Sequence, residues 1–194
     1  METVVEVEGR AERVMEIKLK TISKDGIAEA ISKIELYRYL NEPEEAESIC
    51  YDILAADPDN QTAQRLLGLT ITDQFEGQTS DRYSEAEKIF QSLTDRYEQL
   101  YYLGLLQERR AKAQIRAGRP AKMLIDSFHE AMRCFEEAEK IRPPHNDDAV
   151  LRWNRCVRLL EKIGDVEGES LETFLEDHDT APVELMRRPG GRVR

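Results

Sequence analysis

The chain has 194 residues, with 39 Asp and Glu against 28 Lys and Arg, and a formal net charge of -11. Hydrophobic residues make up 40 % of it, enough for one domain with its own core or one domain and a tail. No window approaches the about 18 uncharged apolar residues of a membrane-spanning helix, and the negative charge argues against nucleic-acid binding by the body, because neutralising phosphates needs a positive surface.

Residues 1–22 open with "METVVEVEGRAERVMEIKLK", which is charged throughout and has no apolar stretch of the kind a secretory signal needs. They read as an N-terminal extension and helix. "TVVEVEG" is the only run with strand-like alternation, and from about Ala11 to Ile163 the apolar residues recur with helical period. "GIAEAISKIELYRYL" places Ile27, Ile31, Ile34 and Tyr37 or Leu40 on one face. After "NEP", whose Pro43 suits a helix first turn, "EEAESICYDILAAD" carries Ala46, Ile49, Cys50, Ile53 and Leu54 and ends at Pro58. "QTAQRLLGLTITD" follows, then a polar gap around Gly77, then "YSEAEKIFQSLTDRY". The spacing predicts a long helix over "EQLYYLGLLQERRAKAQIRA" to Gly118 and another over "AKMLIDSFHEAMRCFEEAEKI" to Pro143. A last helix, "AVLRWNRCVRLLEKI", is expected to turn Val150, Trp153, Val157 and Leu160 inward.

Three of these helices repeat one pattern. Ala46 is followed by Ile49, Cys50 and Ile53. Ala86 is followed by Ile89, Phe90 and Leu93. Ala131 is followed by Cys134, Phe135 and Ala138, with Pro143 closing the unit. The pattern resembles the second helix and exit of the tetratricopeptide repeat, a helix–turn–helix of about 34 residues. "RLLGLTI", with Leu67-Gly68 followed by Ile71, resembles its first helix, and residues 27–60 fit one ungapped unit. The resemblance covers roughly residues 23 to 163. It implies an all-α, right-handed α-solenoid of antiparallel helix pairs: about three units, with Trp153 and Val157 in a capping helix. Small residues at Ala46, Gly68, Ala86 and Ala131 would let the helices approach, and stacked pairs would share one core.

Residues 164–194 read as a tail. From Gly164 to Met186 there are eight acids and no Lys or Arg, after which "RRPGGRVR" carries four Arg. Within the tail, "SLETFLED" has Leu171, Phe174 and Leu175 on one side and Ser170 at an N-cap position.

No constellation points to catalysis. His129, His145 and His178 are scattered, there is no CxxC pair or Gly-rich phosphate loop, and Cys50, Cys134 and Cys156 sit in apolar patterns as small buried hydrophobes. The reading is a non-enzyme that holds no cofactor or metal, is cytoplasmic, and binds neither nucleic acid nor membrane. One stretch departs from the acidic background: "RRAKAQIRAGRPAK", residues 109–122, has six bases and no acid. On a helix Arg109, Lys112 and Arg116 fall within about 60° of one another, and Arg155 and Arg158 form a second stripe on the last helix. The resemblance implies that first helices of the units line a groove. Arg109, Lys112, Arg116, Arg155 and Arg158 would then grip an acidic segment of a partner protein or peptide, in an interaction scaffold or adaptor, or the protein's own acidic tail. Ordinary surface ion pairs, worth about 0–1 kcal/mol each, are the competing account, and acids are scarce near residues 109–122. The alternative function is a dedicated chaperone for a secreted or aggregation-prone client, which would call for an apolar groove.

Overall fold

The computed structural model describes residues 18–76 and 80–165, and among them the chain is all-α. Several helices begin where the sequence supplies a capping or first-turn residue. Ser23 caps a short 3-10 turn, Lys24–Gly26, by accepting from the Gly26 amide, and α1 (Ile27–Tyr39) follows. Asn41, at φ 60, reverses the chain; Asn tolerates this left-handed conformation better than most residues. Pro43 opens α2 (Pro43–Ala56). Asn60 caps α3 (Gln61–Asp73), its Oδ1 accepting from the Ala63 amide at 2.9 Å. After α4 (Ser80–Ser92), Asp95 caps α5 (Arg96–Arg116) by accepting from the Glu98 amide at 2.9 Å. Gly118, at φ 81, ends that helix. A 3-10 turn over Ala121–Leu124 leads into α6 (Ile125–Lys140), and α7 (Asp148–Asp165) is the last described helix.

The expected continuous helix through residues 83–97 is divided. Asp95 prefers to cap α5, and the Thr94 amide bonds to Gln61 Oε1 at 2.8 Å instead of to a preceding turn. The segment 121–124 is likewise 3-10 turn, not α-helix. No helix among the described residues is long and apolar enough to cross a membrane. The strand-like run at residues 3–9 and the short amphipathic stretch at 170–177 lie outside the described residues.

Every helix packs on its successor, α5 against α6 most extensively, and α1 also touches α3, α3 touches α5 and α5 touches α7. The core runs through these contacts without a break, from Ile34 through Leu66, Phe90 and Leu106 to Phe128, Phe135 and Leu159. Burying a side chain of this size stabilises by about 1.5–3 kcal/mol. The repeated alanines, Ala46, Ala86 and Ala131, are all fully buried. Two glycines make the tightest crossings. A Cβ on Gly68 would enter the ring of Phe90, and one on Gly104 would lie 2.7 Å from Cε1 of Phe135 and 3.1 Å from the Ala131 carbonyl. Phe90 and Phe135 each stand four residues after a repeated alanine, so α3–α4 and α5–α6 use the same packing device.

Candidate functional site

The odd-numbered helices are joined by charge. Arg38 on α1 places Nε 2.6 Å from Oδ2 of Asp73 on α3. Arg109 on α5 pairs with the other oxygen of Asp73, and also donates to Thr72 Oγ1 at 2.6 Å and to the Leu69 carbonyl at 3.3 Å. Immediately before Arg109, Glu108 is fully buried, with Lys112 Nζ 2.8 Å and Arg152 NH1 of α7 3.6 Å from its Oε1. Arg155 lies near enough to be influenced by the same carboxylate. Among the described residues, five cations, Arg38, Arg109, Lys112, Arg152 and Arg155, thus stand around two carboxylates, Asp73 and Glu108.

The titration of these groups follows from that imbalance. Burial pushes the Glu108 carboxyl up, but Lys112 and Arg152 outweigh it and hold the group below the usual carboxylate range. Asp73 behaves alike: burial raises it, and Arg109 and Arg38 carry it below its ordinary value. Lys112 moves the other way from a simple ion pair. Its burial, with Arg152 and Arg155 adding to it, lowers the amine despite the neighbouring Glu108. Arg155 is also lowered, chiefly by burial. Lys112 and Arg155 are thus cations whose charged state is disfavoured by burial, with Glu108 offsetting only part of that cost.

The five residues singled out from sequence do not share one environment. Arg109 is engaged with α3, and Lys112 is buried beside Glu108. Arg155 is half-buried, while Arg116, in the last turn of α5, and Arg158 are exposed. The premise that residues 109–122 lack acids to pair with is corrected in three dimensions, because Asp73 arrives from a helix about 36 residues earlier and Glu108 sits one residue before the run. The register expected for α7 is corrected as well. The stripe buried in the core is Ala149, Cys156, Leu159 and Ile163, which turns Arg152 toward Glu108 and leaves Val150, Trp153, Val157 and Leu160 only half-buried. Sequence reasoning missed Arg38, Asp73, Glu108 and Arg152. Arg38 carried the one usable signal, a base four residues after Ile34 on the inward face of α1.

A second polar network lies across α2, α3 and α4. Glu47 accepts from Arg82 at 2.8 Å and from Tyr51 at 3.0 Å, and its carboxyl, raised by burial, is carried below its ordinary value by Arg82 and Gln74. Every cation there has a carboxylate, so it reads as a brace between helices. Among the described residues no group of His, Cys, Asp and Glu is placed to hold a metal ion. Burial pushes the Cys50 thiol up to about 12 and Cys156 higher still, which makes both poor nucleophiles. The acidic stretch beyond Asp165, expected as one occupant of the basic stripe, lies outside the described residues. Comparison with protein-family models, curated proteins and solved structures finds no match.

Proposed function

We propose that the chain is a non-enzymatic interaction scaffold of tetratricopeptide type, in which the odd-numbered helices form the inner face of a short solenoid and receive an acidic segment of a partner protein. The single observation that carries this reading is that, among the described residues, cations outnumber carboxylates along α1, α3, α5 and α7. Two features support the solenoid part: the serial contacts of those helices, and the shared Gly–Phe crossing of α3–α4 and α5–α6. Carboxylates of a partner would be attracted to this positive row, and guanidinium groups would hold them with geometric as well as electrostatic selectivity. Ionic lining favours an adaptor over a chaperone groove, which would present apolar surface to an extended client.

The division of labour within the basic row also follows. Arg109 ties α5 to α3, Lys112 is buried in an ion pair within α5, and Arg116 and Arg158 are the exposed members that would first meet a partner. The test is titration of the protein with a fluorescent oligo-glutamate peptide at two salt concentrations. Binding should weaken at high salt and be lost in the Arg116→Glu/Arg158→Glu variant with its fold intact. Failure of the wild-type protein to bind any acidic peptide at low salt would end this reading.

A further inference from the structure

Asp73 is the last residue of α3, at the end of the helix where the backbone dipole disfavours an acid. Two cations from other helices hold it there, Arg38 of α1 on one carboxylate oxygen and Arg109 of α5 on the other. They are not equivalent. The Arg38 side chain is 3 % exposed, and among the described residues its buried NH2 group has no hydrogen-bond partner, so Asp73 alone compensates it there. The side chains of Arg109 and Asp73 are 17 % and 22 % exposed. A carboxylate arriving from solvent therefore reaches Arg109 and not Arg38. Arg109 also donates to Thr72 Oγ1 and to the Leu69 carbonyl, neutral anchors that keep its guanidinium in place when the carboxylate beside it changes.

Binding at an arginine already engaged in this way is an exchange. Asp73 is fixed on the same chain and acts at an effective concentration in the millimolar range or above, so a lone carboxylate does not displace it. A segment with several acids does, because a first contact elsewhere tethers its remaining carboxylates in the same way. Arg116 is exposed and stands seven residues after Arg109 on the same face of α5. That is roughly 10 Å along the helix axis, which an extended segment spans in about three residues.

We propose that Asp73 is a built-in competitor for Arg109, and that an acidic partner segment binds by exchanging one carboxylate for Asp73 while a second meets Arg116. This rests on the acidic-partner reading above. The full chain is titrated with oligo-glutamate at low salt. Asp73→Asn should bind about fivefold tighter, the scale of one partly exposed ion pair, and the gain should vanish in an Arg109→Gln background. Removing negative charge in general would tighten binding equally in both backgrounds, and that result overturns the exchange. A wild-type protein that binds no acidic peptide ends the reading above and this inference with it; wild-type binding that Asp73→Asn leaves unchanged overturns this inference alone. Because Asp73→Asn leaves Arg38 buried without its carboxylate, a measurement on the wild-type chain stands beside it. Saturating peptide should move the nuclear magnetic resonances of the Arg109 Nε–H and the Asp73 carboxyl carbon. Unmoved signals in the saturated complex overturn the proposal.

Discussion

Replacing Glu108 by Gln is the sharpest perturbation of the charge row. The side chain keeps its size but loses its charge, so Lys112 and Arg152 are left buried beside a neutral amide. At the 2.8 Å separation of Lys112 Nζ and Oε1, Coulomb's law with an effective dielectric near 20 gives an attraction of about 6 kcal/mol. The desolvation of Glu108, which is fully buried, is relieved by the substitution and returns part of that. Removal of one member of a buried pair costs about 3–5 kcal/mol on balance, and we expect Glu108→Gln at the upper half of that range because two cations depend on it. For a domain of this size the loss corresponds to a fall in Tm of about 8–20 °C. Thermal and urea unfolding of wild type and variant measure it. The variant Glu108→Leu/Lys112→Met removes the closest pair together and should recover part of the loss, Arg152 still lacking its carboxylate. A Glu108→Gln protein within about 1 kcal/mol of wild type would refute the claim that this carboxylate is the anchor of the row.

Further outcomes follow from the same structure. Gly68→Ala and Gly104→Ala should each destabilise by about 1–3 kcal/mol, because the added methyl meets a fully buried phenylalanine ring that has no room to retreat; chemical denaturation checks both, and a stabilised variant contradicts the crossing geometry. Folded-state pKa values of Asp73 and Glu108 lie below their unfolded values near 4. Their contribution is therefore complete above about pH 4 and lost as pH falls through the lower folded values, so the slope of stability against pH in that window should be shallower in Glu108→Gln. In the folded protein at pH 8, Cys134 should react with a thiol reagent well before Cys50 and Cys156. Burial raises all three thiols, but Cys134 is partly exposed whereas Cys50 and Cys156 are fully shielded.

Much of the helical architecture is legible in the sequence because its causes are local. Pro43, Asn60, Asp95 and Gly118 act on the backbone within a few residues of themselves, and each lies where a helix starts or stops. The alanine pattern also points to buried positions, since small residues at helical spacing are useful only where helices cross. The segment 92–96 shows the limit. Its apolar period runs on into α5, and the break takes the approach of Gln61 to the Thr94 amide as well as the local Asp95 cap.

The charged site divides along the same line. That a basic run exists at 109–122 is a property of the chain; which of its members are available is a property of the packing. Asp73 lies far from Arg109 in sequence and is brought to it by the α3–α5 contact. The rotation of α7 is decided the same way. Both its stripes are apolar, so periodicity alone cannot choose between them, and burial of Ala149 and Cys156, small enough to approach the neighbouring helices, turns Arg152 rather than Arg158 toward Glu108. Local chemistry determined where the helices of this protein begin and end, whereas charge pairing acts through space, and only tertiary structure decided which of its cations already have a carboxylate.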